Sequence, residues 1–298
     1  MSVSPTDEIS RCRKRVEDSL LQFLDRDTCG MPERLRQATE YSLTAGGKRI
    51  RPVVLLCAGS AVGGDEEALL PFACAVEYVH TYSLIHDDLP AMDDDDFRRG
   101  KPSCHKAFGE ATAILAGDAL LTEAFRVMGE APLAVKDPRR TIAAVAVLAR
   151  AAGAEGMVGG QQMDLSAEGS NGGIAEKEEI DLRKMSALLS AAARMGGILG
   201  GGTEGQVEDL GRYGRALGLL FQVTDDILDE TGSFEEMGKG VGKDKAHGKL
   251  SYPGAFGMQA AAARADALGG EALAAVSTFG AEAEALRAIV RMVAARKS

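Results

Sequence analysis

DEEALLPFACAVEYVHTYSLIHDDLPAMDDDDFRRG, residues 65–100, joins a long apolar run to a short acidic one. The part after Asp65, ALLPFACAVEYVHTYSLIHDD, reads as one long helix despite Pro71 in its early turns. Leu89-Pro90 ends it, because proline disfavours the helical conformation for the residue before it and cannot donate a hydrogen bond. Asp87 and Asp88 therefore stand at a helix C-terminus, where the macrodipole is already negative. Six of the ten residues from Asp87 to Asp96 are aspartates. Carboxylates this close repel by roughly 4 kcal/mol per pair at 4 Å and an effective dielectric near 20. Within the stretch only Arg98 and Arg99 oppose that charge. A solvated acidic loop is one reading. The other is a cation site: oxygen ligands without Cys or His pairing suit Mg²⁺, whose shell is completed by water and substrate phosphate. On a straight helix Asp87 and Asp93 would point about 240° apart; the break at Pro90 lets both face one cavity.

Outward from this stretch the chain is helical almost throughout. Thr6, Asp7 and Glu8 read as a helix start, followed by Ile9, Val16, Leu20, Leu21 and Leu24 at helical spacing. A second helix runs from near Pro32 to Gly46-Gly47, and a third from about Arg51 to Val62. Beyond residue 100 come ATAILAGDALLTEAFRVM, RRTIAAVAVLARAAGAEGMVGGQQMDL, EIDLRKMSALLSAAARMGGILG and QVEDLGRYGRALGLLFQVTDDILDE, then two or three shorter helices from Pro253. SAEGSNGGIAEKEE, residues 166–179, is expected to be a loop. No period-two alternation bounded by hairpin turns and no solenoid repeat is evident. Alanine-rich helices of this length pack closely, so the expectation is an all-α fold: one large bundle, residues 1–298, around a central cavity.

Composition narrows the partners. With 298 residues, 45% hydrophobic, the chain can bury a large core. A net charge of −10 argues against a nucleic-acid binder, so an anionic ligand would be held by local basic clusters or metal. The five scattered cysteines, Cys12, Cys29, Cys57, Cys74 and Cys104, read as reduced packing thiols. The polar N-terminus is unlike a signal peptide, and no apolar run approaches the ~18 residues of a membrane span; a soluble cytoplasmic protein is expected.

A second acidic element lies in LLFQVTDDILDE. Asp225 and Asp229 are four residues apart on one helical face, with Gln222 a turn earlier. Leu219, Leu220, Phe221, Val223, Ile227 and Leu228 make that helix apolar nearly all round, where carboxylates are costly without a cation or ligand. Two such clusters across a bundle would make a multi-metal cage for a polyphosphate. Basic residues supply the complement: Lys48, Arg49 and Arg51 after Gly46-Gly47, Arg98 and Arg99, Lys184 in mid-helix, and Lys239, Lys243, Lys245 and Lys249 in a glycine-rich segment able to act as a flap. AGGKRIRP is not a Walker A loop, because no Ser or Thr follows the lysine.

DDLPAMD (87–93) and DDILD (225–229), with GGKRIRP, DDDDFRRGKPSCH, GGQQMDL, FQVTDDILD and GKLSYP in that order, resemble the short-chain trans-isoprenyl diphosphate synthases. Within them the chain is most similar to bacterial farnesyl diphosphate synthases, whose first motif carries two extra residues between its aspartates. The resemblance implies an isoprenoid synthase-like bundle and a homodimer. It also implies three Mg²⁺ ions, replaceable by Mn²⁺, and two substrates, isopentenyl diphosphate and an allylic diphosphate (dimethylallyl or geranyl). It assigns Asp87, Asp88, Asp93, Asp225, Asp229 and Asp164 to metal. Arg98, Lys184, Gln222, Lys239 and Lys249 go to the allylic diphosphate, and Lys48, Arg51, His80 and Arg99 to isopentenyl diphosphate. Gln161 pairs with Asp164 near the reacting carbons. Arg98, Lys184, Lys239 and Asp225 act directly on ionisation. His86 and His105 are read as structural.

Such a reaction ionises the allylic C–O bond, so charge develops on departing diphosphate and must be stabilised while water is excluded. Lys184-Met185-Ser186 stands where the family usually has Lys-Thr-Gly, which removes a hydroxyl. Tyr82 and Ser83, just before Asp87, are expected to set the cavity floor and hence product length. Tyr82 favours the fifteen-carbon farnesyl product, with twenty-carbon geranylgeranyl as the alternative. A class I terpene cyclase would lack DDILD, and a non-catalytic subunit of a heteromeric synthase would have lost an aspartate motif.

Overall fold

The computed structural model describes residues 4–25, 30–167, 174–231 and 251–297. Its helices are α1 (Pro5–Asp25), α2 (Glu33–Leu43), α3 (Ile50–Ser60), α4 (Glu66–Asp87), α5 (Cys104–Phe108), α6 (Glu110–Glu130), α7 (Pro132–Lys136), α8 (Pro138–Ala152), α9 (Met157–Ala167), α10 (Ile174–Asp181), α11 (Ala187–Gly200), α12 (Glu204–Thr231), α13 (Tyr252–Phe256), α14 (Met258–Ala275) and α15 (Glu284–Ala294). A π-turn, Leu182–Ser186, joins α10 to α11, and 3-10 turns, Ala281–Ala283 and Ala295–Lys297, flank α15. The all-α bundle expected from the sequence is the fold observed.

Helix α4 is central because it is apolar on every side. Fourteen of its residues are buried, among them Leu69, Phe72, Val76, Tyr78, Val79 and Ile85, against α1, α3, α6 and α11. Asp65 caps its start, accepting from Glu67 N–H at 3.2 Å. It ends at Asp87, where Leu89 N–H bonds back to the His86 carbonyl at 3.1 Å. Helix α1 shows the opposite design, a single buried stripe of Ile9, Cys12, Val16, Leu20 and Leu24 facing α3, α4 and α15.

Several expectations are corrected. The first helix starts at Pro5, with Ser4 Oγ accepting from Asp7 N–H at 3.3 Å, so Ser4 rather than Thr6 caps it. The run from Arg139 to Leu165 is two helices, because Gly153 and Gly156 break it. The expected loop at 166–179 is helical from Ile174. A hairpin that the helical pattern concealed pairs Phe97 with Pro102 and Arg98 with Lys101. Its two-residue turn, Arg99-Gly100, has φ of 54° and 76°, as the strand twist demands of such turns. Two helical stretches, Glu66–Asp87 and Pro138–Ala167, are long and apolar enough to cross a membrane, against the expectation that none would be. The first is a core helix, 78% buried over that window; the second is interrupted at the two glycines. Cys12, Cys57, Cys74 and Cys104 are buried free thiols, and Cys29 lies outside the described residues.

Candidate active site

The end of α4 folds the first acidic cluster together. After Pro90 the chain doubles back, so that Asp93 N–H donates to the Asp87 carbonyl at 2.8 Å and Asp94 N–H to that of Leu89 at 3.1 Å. Asp93 is thereby set beside Asp87, as the break at Pro90 implied. Asp88 is buried, and Arg98 grips it: Nε donates to Oδ1 at 2.9 Å and Nη2 to the same oxygen. Asp95 lies 3.7 Å from the same guanidinium. The hairpin thus returns Arg98 to the cluster. Asp87 has no such partner of its own. Burial pushes its carboxyl up to about 6, with Lys184 opposing and Asp93 and Asp88 adding to the rise.

Gly46 and Gly47 hold φ of 89° and 127°, and a Cβ at Gly47 would meet the Arg99 guanidinium at 2.6 Å. Only glycine lets this junction pass under Arg99, whose Nη1 donates to the Gly46 carbonyl. The next residues divide. Lys48 is exposed at the mouth, its pKa pulled down by partial enclosure of the ammonium and by Arg296, with Asp225 opposing. Arg49 turns into the core, Nη1 2.6 Å from Glu77 Oε1. Arg51 Nη1 lies 3.2 Å from His80 Nε2. Burial, reinforced by Arg51, Arg99, Arg49 and Arg98, holds His80 well below its ordinary pKa. It is therefore neutral, and its Nε2 accepts from Arg51.

From the opposite side, the π-turn carries Lys184, whose Nζ bonds Asp164 Oδ2 of α9 at 2.6 Å. π-turns recur at functional sites because they re-aim one residue out of helical register. Gln161 Oε1, three residues before Asp164, is buried with no hydrogen-bond partner. Ser186 does not replace the hydroxyl missing at Met185, since its Oγ donates to the Arg215 carbonyl at 2.7 Å. On α12, Asp225 faces Arg296, 2.9 Å away, whose guanidinium lies 5.7 Å from the centre of the Phe221 ring. Asp229 follows one turn later, half-buried. Gln222 Nε2 bonds Asp226 rather than Asp225, at 2.7 Å. Asp226 is buried and also accepts from Tyr252 N–H at 2.9 Å. It lies 4.0 Å from Lys177, which pairs with Asp181 at 2.5 Å. Lys239 and Lys249 lie outside the described residues.

Tyr82 is buried, its ring 5.7 Å from that of His86 and edge-on to it. Ser83 Oγ donates to the His80 carbonyl at 2.9 Å. His86 Nε2 and the Ile114 carbonyl are 3.0 Å apart, a structural tie to α6. Sequence reasoning missed Arg296, Lys177, Asp181 and Asp226. The last sits inside DDILD; the other three belong to no motif, and only the bundle brings them to the site.

The polyprenyl synthetase family profile matches residues 32–289. The chain is 50% identical, over 81% of its length, to the heterodimeric geranylgeranyl pyrophosphate synthase large subunit 1, chloroplastic, of Arabidopsis thaliana, and 53% identical, over 76%, to geranylgeranyl pyrophosphate synthase 11 of the same plant. These alignments span 66% and 65% of the relatives' own lengths. Among solved structures, an FPP/GFPP synthase from Zymomonas mobilis is 34% identical with a TM-score of 0.85, covering 98% of this chain and all of that one. A geranylgeranyl pyrophosphate synthetase from Pyrococcus horikoshii is 29% identical with a TM-score of 0.87, covering 97% and 98%. The fold, the order of the motifs and these likenesses agree: the chain belongs to the polyprenyl synthetase family of isoprenoid synthase-fold proteins.

Proposed function

We propose that this protein is a trans-prenyltransferase that condenses isopentenyl diphosphate with allylic diphosphates to give mainly geranylgeranyl diphosphate, working as a pair of identical chains. The observation that carries the reaction is the shared charge of the site. Acidic residues from two helix ends, Asp87 on α4 and Asp225 on α12, each sit among cations supplied by other elements, Lys184 and Arg98 for the first, Lys48 and Arg296 for the second. An all-oxygen donor set, a buried Asp87 beside Asp93, and the unpartnered Gln161 Oε1 fit a hard divalent cation, Mg²⁺ by donor chemistry. Asp87, Asp88, Asp93, Asp164, Asp225 and Asp229 would hold it. When bound, it stabilises charge on the departing diphosphate.

The chain's own groups do the rest. Lys184 and Arg98, with Lys239, Lys249 and Gln222, hold the leaving diphosphate. Lys48, Arg51 and Arg99 hold the second one, and neutral His80 keeps Arg51 aimed without adding charge. The apolar α4 and α12 exclude water from the cation. Product length follows the Arabidopsis relatives, whose names are those of geranylgeranyl synthases. They favour twenty carbons over the fifteen that Tyr82 alone suggested. Farnesyl diphosphate is the second reading, favoured by the buried Tyr82 ring one turn below the acidic cluster.

Turnover with isopentenyl and dimethylallyl diphosphates, products sized by mass spectrometry, tests both levels. A C20 product is expected, with Asp87→Ala and Asp225→Ala each cutting turnover by orders of magnitude at unchanged helicity. Full rate after EDTA treatment would end the metal-dependent reading. A C15 product that lengthens in Tyr82→Ala would establish the second reading.

A further inference from the structure

The six aspartates of the loop do not share one role. Asp93 and Asp95 are half-buried toward the site, whereas Asp94 and Asp96 alternate outward. On that outer side one carboxylate oxygen from each, and a ring nitrogen of His105, all lie within 4.8 Å of one another. Two exposed carboxylates would carry no inference by themselves. His105 supplies the independent observation: it is only 5% exposed, and its Nε2 is buried without a hydrogen-bond partner. Its other nitrogen, Nδ1, is 3.0 Å from Ser103 Oγ. With that hydroxyl accepting from Nδ1–H, Nε2 presents a lone pair, the arrangement found when a second partner orients a metal-bound imidazole. Buried polar atoms left unpaired in a native protein call for an explanation, an ion among them.

We propose that Asp94, Asp96 and His105 form a second divalent-cation site, separate from the catalytic cluster and suited to Zn²⁺ or a neighbouring transition ion. An imidazole with two carboxylates suits such ions, where an all-oxygen set suits Mg²⁺. Three protein ligands leave a position for water. Lys106 Nζ, 2.7 Å from Asp96 Oδ1, competes for that carboxylate and moderates affinity. The site joins the residue before the hairpin to the helix after it. An ion there clamps both ends of the hairpin that carries Arg98 and Arg99, and so positions these two arginines.

The test uses the full chain stripped with EDTA, then given Co²⁺ in excess Mg²⁺ without diphosphate. Visible absorption is read together with metal retained on gel filtration. One Co²⁺ per chain is expected, with weak nitrogen–oxygen d–d bands, displaced by Zn²⁺. His105→Asn and Asp94→Asn should each weaken it by about tenfold or more, while Asp87→Ala and Asp225→Ala leave it in place. Asp94 is exposed, so its variant keeps the test valid even where His105→Asn folds poorly. The proposal is overturned if wild type retains no more ion than Asp94→Asn. It is equally overturned if Asp87→Ala removes the ion, or if a thiolate-to-cobalt band places it on cysteine.

Discussion

Arg49, at the foot of α3, has its guanidinium in the core with Nη1 2.6 Å from Glu77 and Nη2 2.5 Å from the Leu43 carbonyl, while its neighbour Lys48 stands at the mouth of the site. Removing one partner of a buried pair strands the other charge. Arg49→Ala should therefore cost about 3–5 kcal/mol of stability. Lys48→Ala should stay within about 0.5 kcal/mol and instead raise KM for isopentenyl diphosphate. Chemical denaturation of both variants reads the contrast, and equal stabilities would refute the division. His80 makes a pH prediction. Its folded pKa lies well below the ordinary value, through burial and then Arg51, Arg99, Arg49 and Arg98. The unfolded chain thus takes up a proton first as pH falls below about 6.5. Stability tied to neutral His80 is present above that pH and is lost on acidification toward the folded value. Between about pH 7 and pH 5 the Tm of wild type should fall more steeply than that of His80→Gln; parallel profiles would count against it.

At the scale of elements, α12 approaches the π-turn through Gly218. A Cβ there would lie 2.5 Å from Ser186 Cα, and a turn earlier one at Gly214 would lie 2.6 Å from the Leu189 carbonyl. The π-turn carries Lys184, so this contact sets where that ammonium stands. In an open helix Gly→Ala gains up to about 1 kcal/mol. Here overpacking against backbone, about 1–3 kcal/mol, outweighs it. Gly218→Ala should lower the urea midpoint at unchanged m and lower kcat by displacing Lys184. A stabilised variant would show that the helices have slack.

For the whole molecule, the relevant feature is what the bundle leaves uncovered. Ile114 and Leu115 of α6 and Ile142 of α8 are 44%, 57% and 68% exposed, on two helices that touch. Large apolar side chains grouped on a surface mark association sites, which supports the proposed pairing of two chains. Light scattering should give twice the 31.2 kDa chain mass, and Leu115→Glu should shift it toward one. A wild-type mass of a single chain would exclude the pairing.

Helix α4, its end at Asp87, the acidic pairs and the basic complement could all be read from the sequence. Proline chemistry, helical spacing and charge repulsion act over a few residues and leave their mark in order along the chain. The hairpin at 97–102 could not, because its strands are two residues each and the positive φ at Arg99 falls on a residue that does not advertise it. The division of Arg49 from Lys48, Gln222 turning to Asp226, Ser186 spent on Arg215, and Arg296 reaching Asp225 were decided by tertiary structure alone. Which charge a side chain meets depends on elements up to 71 positions away in sequence (296 − 225). Local pattern carries no record of that distance until the bundle closes.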